Sequence, residues 1–190
     1  MELEVIEPEK KNLKFEDEPL ISFIVPVHAN NLDASIFKRC LMSLVEQDYP
    51  NMEVVIVLNG GEDAALEQIA TFYIDQEPGK FKMIKMDEAG ACQARNEGFK
   101  YSKGEIVSFF NSDYRANPGM ARMWVETLLE HPDCGFAYGG YEYATAPAVA
   151  YWSKPFDPFL LKNANFIDCG FPIWRKHVAE WDPKVKSLQD

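Results

Sequence analysis

Four polar turns, each directly after a predicted strand, carry the residues of this sequence that could do chemistry. They read HAN at 28–30, NGGED at 59–63, DEAG at 87–90 and NSD at 111–113. Three of them stand at the start of a predicted helix, where free backbone N–H groups and the helix dipole favour anions. Acids beside an anion site are expected when a divalent cation bridges them to phosphate oxygens, as Mg²⁺ or Mn²⁺ does.

Asp113 and Arg95 are the side chains best suited to such a site. Asp113 follows an apolar strand that would hold it at the sheet edge, which makes it the candidate metal ligand, but its turn also has an ordinary composition for a turn before a helix. Arg95 lies one turn into a predicted helix, where its planar guanidinium could reach a diphosphate. A surface salt bridge with Glu88 or Glu97 is the alternative, and spacing leaves both questions open.

Other catalytic signatures are weak or missing. His28 could act as a general base, although a histidine after the first strand is more often a binding or structural residue. The sequence contains no P-loop, no G-x-G-x-x-G and no G-x-S-x-G. Their absence weakens interpretations as a kinase, a dinucleotide-binding enzyme or a hydrolase.

Apolar segments that alternate with helical periods predict the scaffold for these turns. Strands are predicted at 20–27, 53–58, 81–86 and 105–110, and helices at 32–47, 63–74, 91–101 and 118–130, the last capped by Asn117. Nearly continuous apolar strands are typical of a parallel sheet covered on both faces, so we predict an α/β fold with a mostly parallel, Rossmann-like sheet flanked by helices. Ligands of such sheets bind at the carboxyl ends of the strands. After Cys134 the pattern indicates mixed strand and long loop.

Composition excludes several partners. The chain has 190 residues with 19 basic and 30 acidic side chains, a net charge of −11 that repels nucleic acid and anionic membranes. No apolar run reaches the ~18 residues of a membrane span. The four cysteines form no C-x-x-C pair, so we expect reduced, mostly buried thiols in a cytoplasmic protein, with any contact to the inner face of a membrane made by parts outside this chain. Residues 1–19 are predicted to be a charged, flexible leader.

Several motifs, taken in order, resemble a family-2 glycosyltransferase of the GT-A fold. The matching stretches are SFIVPVHANN, CLMSLVEQDYPNMEVVIVLNGGED and AGACQARNEGFKYSKGEIVSFFNSDY followed by NPGM, within residues 20–190. The resemblance implies an inverting transferase that uses Mg²⁺ or Mn²⁺ and a nucleotide sugar, with a UDP-sugar as the first expectation. The acceptor would be a hydroxyl of a glycan, a lipid-linked sugar or a polysaccharide such as those of the cell envelope. The nucleotide-binding half is expected at 20–115 and the acceptor-side part at 116–190.

The resemblance also implies roles for single residues. Segments after the first two strands would hold the base and ribose, Arg95 the diphosphate and Asp113 the metal. The implied donor-binding residues are Pro26, Val27, His28, Asn30, Asn59, Gly60, Asp63, Arg95, Asn111 and Ser112. Two departures leave the identity of the donor open, because Asn59 follows Leu58 where an aspartate is usual and Asn111 replaces the first acid of D-x-D.

The tail from Phe166 resembles the family segment that leads to a glutamate–aspartate pair, whose aspartate is the catalytic base. Here the pair reads Gln189-Asp190, so Asp190 is the expected base. The domain of the family normally continues beyond this pair, and a C-terminally truncated domain is therefore expected. A solvated terminus is the alternative for Asp190.

Two other functions stay open at this point. A sugar-phosphate nucleotidyltransferase also uses an α/β site and Mg²⁺, but it would need a glycine-rich, basic loop where this chain has residues 26–30. A non-catalytic nucleotide-sugar-binding domain of a larger protein is the second alternative, which the substituted acids leave open.

Overall fold

The protein, seen here as a computed structural model that describes residues 18–29, 32–143 and 149–185, is built on a five-stranded sheet. The elements run β1 Ile21–His28, α1 Ala34–Val45, β2 Met52–Asn59, α2 Ala64–Gln76, β3 Phe81–Met86, α3 Ala91–Tyr101, β4 Ile106–Phe109, α4 Met120–Glu130, β5 Tyr141–Tyr143, β6 Val149–Tyr151, α5 Pro158–Asn163 and β7 Pro172–Trp174, followed by a 3₁₀ turn Arg175–His177. Residues 1–17 of the predicted leader lie outside the described residues.

The order of the strands locates a ligand-binding edge. The sheet runs β3-β2-β1-β4-β7, with β7 antiparallel to β4 and the other pairs parallel. The strand order reverses between β1 and β4, and in open α/β sheets ligands bind outside the carboxyl ends of the strands at such a point. The predicted α/β class is confirmed. The division at residue 115 stays a prediction, although β7 from the later part joins the same sheet.

Both faces of the sheet are covered, as the apolar strands predicted. Side chains alternate along each strand, so Phe23 and Val25 of β1 pack in a cluster with α1, α2 and α4, whereas Ile24 packs in a second cluster with Ala94 of α3. The buried aliphatic strands β1, β2 and β4 hold the sheet edge rigidly between these two layers.

Helix α3 approaches the sheet closely because it carries a glycine at the contact. A Cβ atom on Gly98 would lie 2.3 Å from Cγ2 of Ile24 and 3.1 Å from Cγ2 of Val57. Arg95 is on the same helix, one turn earlier, so this contact fixes the depth at which its side chain enters the site.

Aspartate side chains cap two of the helices, although neither cap was predicted from the sequence. Asp33 and Asp63 cap α1 and α2 with their side chains, whereas α3 begins after Gly90 without a side-chain cap. The prediction that Asn117 caps α4 is wrong: the cap is Gly119, whose left-handed φ of 78° a glycine adopts without strain. The Asn117 carbonyl instead accepts hydrogen bonds from the Met120 N–H and the Gln47 amide.

The later part of the chain is irregular, as predicted. β5 and β6 form a two-stranded hairpin, and Trp152 beside it is 87% exposed. All four cysteines are free thiols, but the prediction of burial holds only for Cys40 and Cys92, since Cys134 is exposed and Cys169 half-buried. Among the described residues, no helix has the length and apolar character to cross a membrane.

The packing of α3 predicts the effect of adding one methyl group. We expect Gly98→Ala to lower the free energy of unfolding by about 1–3 kcal/mol through overpacking, even though alanine favours helices by about 1 kcal/mol. Gly139→Ala is the matched control because no atom lies within 4 Å of its new Cβ. Urea unfolding should leave this control within about 0.5 kcal/mol of the parent. Equal stability of the two variants would show that the sheet does not restrict α3 at this point.

Candidate functional site

Several of the predicted site residues lie where β1, β2 and β4 end and α3 begins. His28 at the end of β1 lies opposite Asn59 at the end of β2, and Asn59 lies opposite Met86 at the end of β3. The chain after β4 reaches Asn111, which contacts Arg95 of α3. The edge of the sheet therefore brings together residues from four segments of the sequence.

Asn59 connects three of these segments. Its side chain is buried, Nδ2 donates to the Val27 carbonyl at 2.9 Å, and Oδ1 accepts from the Gly90 N–H at 3.1 Å. An ionised aspartate has no hydrogen to donate to a carbonyl. The amide at this position is therefore what ties the end of β1 to the start of α3, and Asn59 shapes the edge of the site.

His28 and Gly60 form the neighbouring part of the edge. The His28 ring is exposed, and its Nδ1 donates to the Ala29 carbonyl at 2.6 Å, which leaves Nε2 as an acceptor. Gly60 has φ +85°, and a Cβ atom on it would lie 3.0 Å from Cε1 of His28. Glycine is needed here for its backbone conformation and for the close approach of the ring.

The other residues predicted to bind a donor lie in different environments. The Val27 side chain is buried in the core, Pro26 is half-buried in β1, and Ser112 is half-buried after β4. Asp63 accepts hydrogen bonds from two N–H groups of the first turn of α2, both at 3.1 Å. These amides are occupied, so the start of α2 differs from the free anion site that the sequence suggested. Asn30 lies outside the described residues.

Arg95 is the most unusual side chain of the site. It is 4% exposed, and its Nη2 donates to Oδ1 of Asn111 at 3.2 Å. Its Cζ lies 4.9 Å from the centre of the Trp181 ring. Within the described parts of the chain, Nε and Nη1 have no hydrogen-bond partner. A buried cation with unsatisfied donors is costly unless an anion completes it.

The surface salt bridge considered for Arg95 is wrong. The guanidinium is buried, Glu97 pairs with Lys100 at 2.6 Å, and Glu88 is exposed. Across residues 18–29, 32–143 and 149–185, no ion pair includes Arg95. Among these residues its positive charge has no counter-ion.

Behind these residues lie hydrogen bonds that the sequence did not predict. Asn111 donates through Nδ2 to Sγ of Cys169 at 3.2 Å, and the Tyr114 hydroxyl donates to Oδ1 of Asp168 at 2.6 Å. Burial and this hydrogen bond raise the pKa of Tyr114, so the phenol stays a donor at neutral pH. The Ser108 hydroxyl donates to the Gly170 carbonyl at 3.1 Å. No local pattern marks these contacts, because they join residues more than 50 positions apart.

The segment around Trp181 is also fixed to the site. Asn96 donates to the Trp181 carbonyl at 2.8 Å and accepts from its N–H at 2.9 Å, and the indole meets the Phe109 ring edge-on at 5.4 Å. This reciprocal pair holds the chain that leads towards Asp190, which itself lies outside the described residues.

Asp113 fits one kind of metal site only. Its side chain is exposed, and its charge, after the larger effect of burial, helps to raise the pKa of the Cys40 thiol on α1. Among the described residues, no three His, Cys, Asp or Glu side chains gather to hold a metal. One carboxylate suits a divalent cation that takes its other ligands from water and phosphate. The donor set therefore fits a cation shared with a bound diphosphate.

Comparison with known proteins finds a matching family and several similar proteins. Residues 22–176 match the model of the family described as Glycosyl transferase family 2. The uncharacterized glycosyltransferase YibD of Escherichia coli is 30% identical over 110 residues, which are 58% of this chain and 30% of YibD. The chain thus spans less than a third of the length of this relative.

Solved structures agree with the fold. Staphylococcus aureus TarS aligns over 90% of this chain and 32% of its own with a TM-score of 0.68 at 20% identity. TarS 1-349 in complex with UDP-GlcNAc aligns over 59% of this chain and 32% of its own with a TM-score of 0.51 at 26% identity. The mannosyltransferase PcManGT from Pyrobaculum calidifontis, in complex with GDP-Man and Mn²⁺, covers 70% of this chain and 38% of its own with a TM-score of 0.52 at 22% identity.

The family match covers most of the chain, includes both Arg95 and Asp113, and agrees with an α/β, GT-A-like sheet. The chain therefore belongs to glycosyl transferase family 2.

Proposed function

We propose that this protein transfers a sugar, with inversion, from a nucleotide-sugar donor to a hydroxyl of an acceptor. The observation that carries the proposal is the buried Arg95 guanidinium, whose Nε and Nη1 have no partner among the described residues. A planar guanidinium donates several N–H groups in fixed directions to phosphate oxygens, and those of Nε and Nη1 remain for them here. The leaving diphosphate of a nucleotide sugar would supply those oxygens.

The rest of the edge suits the other parts of such a donor. The N–H groups at the start of α3, which has no side-chain cap, can add to the binding of phosphate oxygens. The nucleoside would lie against the loop that follows β2, beside His28 and Gly60. UDP is the first candidate nucleotide, because the TarS structure that is 26% identical holds UDP-GlcNAc.

Asp113 would hold a divalent cation, Mg²⁺ or Mn²⁺, together with the diphosphate. A cation there would stabilise the negative charge that grows on the leaving group. The structure of PcManGT, which has a similar fold, contains GDP-Man and Mn²⁺, and this supports a divalent cation beside the donor here.

The proposed reaction is a single displacement. The acceptor hydroxyl oxygen forms a bond to the anomeric carbon while the bond from that carbon to the diphosphate oxygen breaks, and the electron pair leaves with the nucleoside diphosphate. The hydroxyl proton goes to Asp190 as general base. The clamp between Asn96 and Trp181 supports this role, because it holds Trp181, which precedes Asp190 in the chain, beside Arg95.

The acceptor side is expected in the later part of the chain. Tyr143 and Tyr151 of the hairpin are 52% and 47% exposed, and Trp152 is 87% exposed. Aromatic faces of this kind stack on sugar rings, which favours a glycan, a lipid-linked sugar or a polysaccharide as acceptor.

If Arg95 binds the diphosphate, replacing its guanidinium should lower the affinity for the nucleotide. Arg95→Lys should weaken UDP binding about tenfold, since lysine keeps the charge but lacks the paired N–H groups. Isothermal titration calorimetry measures this, and thermal unfolding checks the fold of the variant. Arg115→Lys is the control, because Arg115 is exposed in the chain after β4. Unchanged affinity of the Arg95 variant would contradict a diphosphate site at this residue.

The role of Asp113 predicts a change in the effect of metal. Asp113→Asn should abolish the gain in UDP affinity that Mn²⁺ gives to the parent without lowering the affinity in EDTA, because only the cation needs the carboxylate. Titrations of UDP with and without Mn²⁺ test it, with the exposed Asp133 as Asp133→Asn for control. A Mn²⁺ gain that survives in the Asp113 variant would rule out this ligand.

The role of Asp190 predicts a separation of binding from turnover. Asp190→Asn should lower the transfer rate by about 10²–10⁴-fold and leave UDP binding as it is, because a general base acts only in the chemical step. The rate is followed as nucleoside diphosphate released from a panel of UDP- and GDP-sugars with glycan acceptors, and Glu180→Gln is the control.

The same panel of nucleotide sugars distinguishes transfer from the two alternative functions. Binding without turnover in the parent would favour a non-catalytic domain, and pyrophosphate released from a nucleoside triphosphate would favour a nucleotidyltransferase. Equal transfer rates of the parent and the Asp190 variant would show that the base is another residue.

A further inference from the structure

A neutral amide stands where the buried guanidinium of Arg95 would otherwise find a counter-ion. Oδ1 of Asn111 accepts from Nη2 of Arg95 at 3.2 Å, and within the described residues no other hydrogen bond reaches the guanidinium. A carboxylate in the same place would form a buried ion pair and neutralise the charge. The amide satisfies one N–H group and leaves the charge in place.

The orientation of this amide is fixed by its other end. Nδ2 of Asn111 donates to Sγ of Cys169 at 3.2 Å, and sulfur accepts such a bond. A flipped amide would set its NH₂ group against the N–H groups of Arg95, which are donors as well. Asn111 therefore keeps its oxygen on Arg95, and the thiol of Cys169 holds it there.

Two further groups among the described residues, an aromatic ring and an acid, leave the guanidinium without a counter-charge. The Trp181 ring lies 4.9 Å from Cζ of Arg95 and adds no counter-charge. Asp168, the acid in the layer behind Asn111, accepts from the Tyr114 hydroxyl at 2.6 Å and from the Cys169 N–H at 2.8 Å. Neither group removes the positive charge of Arg95.

We propose that Asn111 sets the metal dependence of the site: it positions Arg95 without neutralising it, so that a nucleoside diphosphate binds even without a divalent cation. The cation held by Asp113 then adds to the affinity and is not a condition for it. This inference rests on the proposed function, in that it takes the ligand of Arg95 to be a diphosphate.

A carboxylate at position 111 would change how far nucleotide binding depends on the metal, for two reasons. It would pair with Arg95 and use up the charge that attracts the diphosphate. It would also offer the cation a second oxygen ligand beside Asp113, and Mg²⁺ and Mn²⁺ are commonly held by one or two carboxylates. Binding would then depend on the metal.

The test is calorimetric titration of the whole chain with UDP, and separately with inorganic pyrophosphate, in EDTA and in Mn²⁺. The parent should bind both ligands in EDTA. Asn111→Asp should weaken binding in EDTA about tenfold or more, and Mn²⁺ should recover most of that loss. Asn111→Ala should lose less in EDTA than Asn111→Asp, because it drops the hydrogen bond but leaves the guanidinium charged.

Asn117→Asp is the matched control for added charge, since Asn117 is exposed in the same loop after β4. It should behave as the parent does. Thermal unfolding gives a readout independent of nucleotide: at pH 7 Asn111→Asp should melt above Asn111→Ala, because its carboxylate pairs with Arg95.

Three results would overturn the inference, and they separate it from the proposed function. Equal affinity of Asn111→Asp and the parent in EDTA would show that residue 111 does not control the charge. Binding by the parent in Mn²⁺ but not in EDTA would overturn the inference and leave the proposed function standing. Binding in neither condition would overturn the proposed function and the inference with it.

Discussion

Burying a guanidinium removes it from water, and a neutral amide and an indole ring offset that cost only in part. Arg95 is in this position, with its charge unpaired among the described residues and two nitrogens unsatisfied. A fold holds such a group only when the surrounding structure fixes it strongly. Most features of the site hold the Arg95 guanidinium in place.

Three contacts hold α3, and with it Arg95, from different directions. Gly98 lets α3 lie close against Ile24 and Val57, which sets the depth of the helix. The Asn59 amide joins the end of β1 to the start of the same helix. On the far side, the segment around Trp181 is clamped to α3 by hydrogen bonds in both directions. Sheet, helix and C-terminal segment thus share one rigid edge.

The two asparagines that replace the acids expected from the family resemblance have a common physical explanation. Asn59 donates to the Val27 carbonyl, and Asn111 donates to the Cys169 thiol. An ionised aspartate could make neither bond, because it carries no hydrogen. Each replacement exchanges a negative charge for a donor that links distant segments, so the site carries less negative charge than the family pattern would give it.

Much of the fold was determined by sequence alone. The limits of β3 and α3 were predicted as they stand, and those of β1, β2, β4, α1, α2 and α4 differ by one or two residues, because apolar periodicity and glycine or proline stops are local properties. The strand β7 at the edge of the sheet was not predicted as an element. The turn after β4 and the position of Arg95 on α3 followed from the same pattern. The cap of α4 did not, since a left-handed glycine replaced the expected side chain of Asn117.

Tertiary structure alone decided the state of the candidate residues. Whether Arg95 lay on the surface or was buried depended on Trp181, which is far away in sequence, and on the register that brings Asn111 beside it. The pairing of Asn111 with Cys169, and of Tyr114 with Asp168, also joins segments that no spacing relates. Local patterns fix which elements form, because each residue's propensity acts on its neighbours in the chain. Burial, charge compensation and hydrogen-bond partners arise only when distant elements pack together.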